Sequence, residues 1–228
     1  EMIGNIAHQW RQPLSFISTA ATGMKLQKEF DQLDDKTFND TIDNISQTTM
    51  FLSQTIDDFQ NYLKTDKTKM LFNLSSTIEK LLNIVKSSFT NNFIDIELSL
   101  DKQIDLNSFE NELNQALLNI INNSKDALKD KDFDDRFIKI NTFMENNHAI
   151  IEIIDNAGGI NPEIIDRVFE PYFTTKHKSQ GTGLGLYMTH KIISESLSGE
   201  IKIENISYVF QEKNFNKCAK VSIKLPLS

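Results

Sequence analysis

Two apolar seams with a period of 3.5 residues run through the first 66 positions and restrict that part of the chain to paired helices. The first seam is Ile3, Ala7, Trp10, Leu14, Ile17, Ala21 and Met24. The second is Phe38, Ile42, Ile45, Thr49, Leu52, Ile56, Phe59 and Leu63. Steps of three and four alternate in both, the spacing of helices packed at a shallow angle. The stretch holds only two glycines, Gly4 and Gly23, and one proline, Pro13. The polar segment Asp31-Gln32-Leu33-Asp34-Asp35 separates the seams, so the pattern predicts a helical hairpin with arms of about 40 Å. A lone hairpin buries one stripe per helix, and two copies are expected to associate as a four-helix bundle. Pro13 is expected to kink the first helix, because it removes one hydrogen bond and crowds the Gln9 carbonyl. The alternative is a helix that starts at Pro13.

From about Met70 the pattern changes to alternating strands and helices. Helices are expected over Leu74–Phe89, Ser108–Leu128 (with Ser108 as N-cap) and Leu184–Leu197, the last ended by Ser198-Gly199. Strands are expected over Ile94–Leu100, Phe137–Met144, Ala149–Ile154, Glu200–Ile206 and Ala219–Leu225, with a turn at Glu145-Asn146-Asn147-His148. Residues from Asn156 to Thr182 read as a long loop. The fold class is therefore α+β: a helical hairpin over residues 1–66, then an α/β sandwich over 67–228.

Charge narrows the function. There are 24 Lys+Arg against 32 Asp+Glu, a net charge of -8, and neither half is basic. A nucleic-acid binder would need basic footing on phosphates. No apolar run reaches the ~18 residues of a membrane span, and no signal peptide is visible. The single cysteine, Cys218, excludes an internal disulfide and a multi-cysteine zinc site; it reads as a small apolar residue just before a strand. The chain opens at Glu1 inside a helical pattern, with no initiator Met, which predicts a piece of a longer protein. This piece is expected to be cytoplasmic, with no membrane contact of its own.

Four segments carry chemistry. In Gly181-Thr182-Gly183-Leu184-Gly185-Leu186, alternate glycines lead into a helix, so backbone N–H groups can approach a phosphate. In Asp155-Asn156-Ala157-Gly158-Gly159-Ile160, a carboxylate ends an apolar strand where it can accept from the exocyclic amine of a base, with glycines letting the ring lie close. Asn119 and Asn123 are one helical turn apart on one face. Their amide oxygens are neutral, hard ligands suited to Mg²⁺, which binds few protein groups plus substrate phosphates. In Phe169-Glu170-Pro171-Tyr172-Phe173-Thr174-Thr175-Lys176, the aromatics suggest a lid, and Thr174, Thr175 and Lys176 are candidates to face phosphate oxygens. Each motif alone is also compatible with ordinary loop or helix chemistry.

Taken in this order, the segments resemble the N box, first glycine box, F box and second glycine box of the bacterial sensor histidine kinases of two-component systems. Upstream, Ala7-His8-Gln9-Trp10-Arg11-Gln12-Pro13-Leu14 resembles the H box. The second half is also similar to the wider gyrase, chaperone and mismatch-repair ATPases that share the Bergerat fold. The resemblance implies that His8 accepts a phosphoryl group from ATP. It implies that Asn123, supported by Asn119, holds Mg²⁺ and that Asp155 reads adenine, with Gly159 beside it. It further implies that Gly181, Thr182, Gly183, Leu184, Gly185 and Leu186 frame the triphosphate. The implied partners are a second copy of the chain and a response-regulator receiver domain whose aspartate takes the phosphoryl group from His8.

Three positions depart from the family pattern. Gln9 stands where Glu or Asp is usual, and an amide cannot accept a proton at neutral pH. Gln12 stands where Thr or Asn is common, and its amide could still orient a water. Ala157 replaces a glycine, a change expected to be tolerated if its φ is negative. Gln9 motivates an alternative, a degenerate or phosphatase-dominant dimeric scaffold of the same fold. A further alternative is a gyrase-like ATPase with the hairpin as a plain dimerisation arm. Trp10 reads as a core aromatic, His148 and His177 as surface residues, and Lys178 as a second lid cation.

Overall fold

The computed structural model describes residues 2–63, 68–129, 135–175 and 183–227; side chains at 2–12, 51 and 54–63 lie outside the described set. The chain divides into two compact units, one built on a helical hairpin and one on a sheet.

In the first unit, α1 (Met2–Glu29) and α2 (Asp35–Leu63) form the hairpin. Pro13 lies inside α1, so the helix does not begin there. The Asp34 carboxylate caps α2: it accepts from the Thr37 N–H at 2.8 Å and the Thr37 hydroxyl at 2.9 Å. These bonds hold the Asp34 carboxyl below the usual carboxylate range. Along α2 the half-buried or buried positions are Thr37, Thr41, Ile45, Thr48 and Leu52. Thr48, not the seam residue Thr49, takes the inward place; its hydroxyl bonds back to the Asn44 carbonyl at 2.7 Å. Leu14, Phe38 and Ile42 remain exposed. The apolar seam is therefore wider than one hairpin covers.

In the second unit, a five-stranded sheet runs in the order β2-β4-β5-β7-β6. Its strands are β2 (Ile94–Leu100), β4 (Arg136–Glu145), β5 (His148–Asp155), β6 (Glu200–Phe210) and β7 (Lys213–Pro226). β2 pairs parallel with β4, and the other pairs are antiparallel. β4 and β5 meet through Asn146 and Asn147, β6 and β7 through Gln211 and Glu212, all four with φ between 47° and 65°. Two left-handed residues in a row are the signature of a tight hairpin turn that matches strand twist. Two further strands, β1 (Met70–Asn73) and β3 (Asp105–Ser108), pair with each other apart from the main sheet. Ser108 thus ends a strand opposite Met70 and does not cap α4, which begins at Glu110.

Helices α3 (Leu74–Thr90), α4 (Glu110–Lys129) and α5 (Gly185–Lys191) contribute to the core. The Asn73 side chain caps α3, accepting from the Ser76 N–H at 3.2 Å. A π-helical turn, Ile192–Ser196, continues α5, and Ser198 rather than Gly199 takes the left-handed conformation after it. One sheet face carries Ile138, Ile140, Ile151, Ile153, Val221 and Ile223, which pack with Leu81, Leu113, Leu117, Ile120 and Ile121 of the helices. Each large apolar side chain so buried contributes roughly 1.5–3 kcal/mol. The far ends of β6 and β7 close over a second cluster in which Phe137 stacks on Phe210, centroids 4.0 Å apart. Cys218 lies in this cluster, inside β7 and not ahead of it. Burial pushes its thiol up to about 11, so it is chemically quiet at neutral pH.

Candidate functional site

The site gathers at the C-terminal end of β5. β5 is buried along almost its whole length and delivers Asp155 as its last residue, 5% exposed. A buried carboxylate needs donors. The Ser124 hydroxyl of α4 donates to Oδ2 at 2.7 Å, and the Ala157 N–H donates to Oδ1 at 3.1 Å. Burial still pushes the Asp155 carboxyl up from its ordinary value, against the pull of these two bonds. The neighbouring Asn156 is also buried and ties the strand end to β4. Its Oδ1 accepts from the Phe137 N–H at 2.9 Å, and its Nδ2 donates to the Asp135 carbonyl at 2.6 Å.

Beyond Asn156 the chain turns at Gly158 (φ 97°) and Gly159 (φ 72°). Ala157 is buried and is not among the residues with positive φ, so its methyl group is accommodated. Asn205 of β6 meets this turn through its side chain.

α4 supplies the two amides. Its apolar stripe of Leu113, Ala116, Leu117, Ile120 and Ile121 is buried, which leaves Asn119 and Asn123 half-buried. Asn119 Nδ2 donates to the Gly185 carbonyl at 3.5 Å, a long bond, and the Thr189 hydroxyl donates to the same carbonyl at 2.9 Å. The start of α5 is thereby held against the amide-bearing face of α4.

The aromatic loop meets α5 and the residue two positions ahead of it. Phe169 lies against the His190 ring, centroids 5.2 Å apart, and the Tyr172 N–H donates to the Gly183 carbonyl at 2.9 Å. Arg167 bridges within the loop, pairing with Glu170 at 3.1 Å and lying 4.7 Å from the centre of the Phe173 ring. Thr174 is half-buried and Thr175 exposed. Leu184 is buried, and Leu186 is half-buried inside α5.

Gly183 has φ 64°, and a Cβ built on it would sit 2.3 Å from the Tyr172 carbonyl carbon. No side chain fits there without moving backbone. The variant Gly183→Ala is expected to destabilise the domain by about 1–3 kcal/mol through strain and displacement of the aromatic loop. Urea unfolding measures it, and an unchanged midpoint would overturn this account of the close approach.

The sequence-assigned residues Asn119, Asn123, Asp155, Gly159, Gly183, Leu184, Gly185 and Leu186 thus lie within one unit, on α4, the end of β5 and the start of α5. Lys176, Gly181 and Thr182 lie outside the described residues, as do the side chains of His8, Gln9 and Gln12 on the helical backbone of α1. Ser124 and Asn156 were not singled out from sequence. A signal for Ser124 exists: it interrupts the apolar stripe of α4 between Ile120 and Leu128, where a lone hydroxyl needs a buried partner.

Comparison with known proteins places the chain among ATPases. The family model described as histidine kinase-, DNA gyrase B-, and HSP90-like ATPase matches residues 109–228. A two-component sensor of Pseudomonas aeruginosa is 23% identical over 210 residues, covering 90% of this chain and 23% of the relative. Sporulation kinase C of Bacillus subtilis is 30% identical over 206 residues, covering 90% of this chain and 45% of its own. The chain therefore spans less than half the length of these curated relatives. Among solved structures, histidine kinase ThkA in complex with response regulator TrrA superposes with a TM-score of 0.72 at 23% identity. That match covers all of this chain and 61% of the other. The isolated ThkA catalytic domain gives a TM-score of 0.58 at 22% identity, covering 70% of this chain and 95% of the other.

Proposed function

The chain belongs to the histidine kinase-, DNA gyrase B- and HSP90-like ATPase family, and from that premise we propose that it is the catalytic core of a protein-histidine kinase. Residues 67–228 bind ATP; His8 on the hairpin of residues 1–66 takes the γ-phosphoryl group and passes it to an aspartate of a response-regulator receiver domain. The observation that carries the nucleotide half of this reading is Asp155: a carboxylate buried at a strand end, pinned by two donors, with left-handed glycines beside it. The relatives named as sensor and sporulation kinases match 90% of the chain, hairpin included, which favours a kinase over a gyrase-like ATPase with an incidental arm.

Phosphoryl transfer is mostly positioning and charge stabilisation. An unprotonated ring nitrogen of His8 forms a bond to the γ-phosphorus as the bond to the bridging oxygen breaks and ADP leaves. Asp155 and the glycine turn hold the purine, and the segment 181–186 holds phosphates through backbone N–H groups. The acidic surface cannot do this with a basic patch. Among the described residues no group of three or more His, Cys, Asp or Glu could hold a metal, so the donor set here is amide oxygen, phosphate and water. That set fits Mg²⁺: Asn123 and Asn119 would hold it, and the bound ion would supply neutralisation of charge on the group being transferred. Asn123 is half-buried one turn along α4 from Asn119, so its amide is placed to join that set.

The exposed seam residues Leu14, Phe38 and Ile42, with Phe16 and Leu26 nearby, support a homodimer in which a second hairpin covers them.

The test is incubation with γ-labelled ATP and Mg²⁺. The expected result is label on the protein that is lost in acid and kept in base. No label, with ATP still bound, supports the scaffold instead. Phosphate release without labelled protein supports the ATPase.

A further inference from the structure

The first glycine segment is held at both ends from one rung of the sheet. Ala219 of β7 pairs with Asp155 on one side and with Asn205 on the other. Partners on one rung project side chains to the same face, and two strand spacings put Asp155 and Asn205 roughly 10 Å apart. The segment from Asn156 to Ile160 spans that distance as an arch. One end is continuous with β5 and tied by the Ala157 N–H to Asp155. At the other end Asn205 grips the backbone of Ile160 twice: the Ile160 N–H donates to Oδ1 at 2.7 Å, and Nδ2 donates to the Ile160 carbonyl at 2.6 Å. The grip is tight enough to exclude a side chain at 159, where a Cβ would lie 2.6 Å from Asn205 Oδ1. The register of β6 against β7 shifts just beyond, between Ile206 and Tyr208, so the ladder is interrupted next to the clamp and resumes at Tyr208.

We propose that Asn205 is a positioning residue for nucleotide recognition: it sets the arch at a fixed distance from Asp155 and so fixes the width of the slot that receives the purine. This rests on the reading of Asp155 as the adenine acceptor. A side-chain amide bonded to both backbone groups of one residue leaves the arch two anchors instead of one. A turn with two left-handed glycines has no intrinsic stiffness to replace the second. Asn205 is exposed, so it is accessible to water and to substitution without a hole in the core.

The experiment uses the whole chain, with binding of a non-hydrolysable ATP analogue and of the matching GTP analogue measured by calorimetry. Asn205→Leu keeps the size of the side chain and removes both bonds. It is expected to weaken the ATP analogue about tenfold and to narrow the preference for adenine over guanine. It should raise KM for ATP while leaving kcat within twofold, because the phosphates are held elsewhere. A purely structural role would move neither the base preference nor KM apart from kcat. In a double-mutant cycle, Gly159→Ala is expected to cost less when Asn205 is already Ala, because the group it strikes is gone. Asn205→Ser serves the same comparison should the leucine variant melt below the assay temperature. Unchanged affinity and base preference in Asn205→Leu or Asn205→Ser, or additive effects in the cycle, would overturn the proposal. Failure of the unaltered chain to bind either analogue would overturn the nucleotide reading itself, a result separate from the first.

Discussion

His8→Ala is expected to abolish acid-labile labelling from γ-labelled ATP while nucleotide affinity stays within twofold of the unaltered chain. The two halves of this expectation come from different parts of the molecule. Asp155, its two donors and the amides of α4 all belong to the sheet-containing unit. His8, the proposed acceptor, lies in the sequence of α1 in the other unit. Removing an imidazole from the hairpin takes away the only nucleophile the proposal uses and touches no group that binds the base. Among the described residues His148 and His190 are the controls. His148 Nδ1 lies 2.8 Å from the Asn146 carbonyl beside a turn, and His190 packs against Phe169. Residual label in His8→Ala, mapped to either, would assign the acceptor elsewhere. Loss of label together with loss of binding would mean that the substitution had damaged the fold.

What could be read from residues alone follows the range of the interactions involved. β2 was bounded correctly at Ile94 and Leu100 because alternation is local. The helices α3 and α4 were placed by their apolar stripes, and Asp155 by its position at the end of an apolar run. β1 and β3 were missed. Each is four residues long, and each is a strand only because the other pairs with it more than thirty residues away. The ends of β6 and β7 were cut short for a related reason. Tyr208-Val209-Phe210 is a three-residue apolar run and Phe215 stands between two asparagines, so neither marks a strand until they close on Phe137 and Ile154. On the hairpin, the period of the seam was legible, but its division was not. Thr48 rather than Thr49 faces α1 because each arm's stripe is wide enough to be split, part toward its own hairpin and part left exposed. In the site the pattern repeats. Residue types with their own chemistry, such as Asp155 and Asn123, announce themselves. Ser124, Asn156 and Asn205 act through partners fixed only by the tertiary fold.

Replacing Asp155 by Asn is expected to weaken ATP binding tenfold to a hundredfold and, in the same protein, to raise the melting temperature at pH 7. The loss follows from exchanging a charged acceptor for a neutral amide in a buried place, where hydrogen bonds to charged groups are worth about 1.5–3 kcal/mol. The gain follows from the direction of the shift. Burial raises the folded-state pKa of Asp155 above its unfolded value. A carboxyl raised in this way gives stability that is fully present below the unfolded pKa, near 3.9, and lost as pH rises through the folded one. In its ionised form Asp155 is therefore a cost to the fold, set against the binding role proposed for it. Asn removes that cost and keeps the shape, with its Oδ1 able to accept from the Ala157 N–H and its Nδ2 able to donate to the Ser124 hydroxyl. A rise of about 2–4 °C corresponds to 1 kcal/mol in a domain of this size. The advantage should shrink as pH falls and vanish below the unfolded value, where the native carboxyl is protonated as well. Affinity should run the other way: ATP binding by the unaltered chain weakens as pH drops through the raised folded pKa, and binding by Asp155→Asn stays flat. Ser124→Ala sharpens the test, because it removes the strongest pull keeping Asp155 ionised. Its binding curve should begin to fall at a higher pH than that of the unaltered chain. Should Asp155→Asn melt lower than the unaltered chain at pH 7, the buried carboxylate would be serving the fold, and the slot beside it would have to be assigned on other residues.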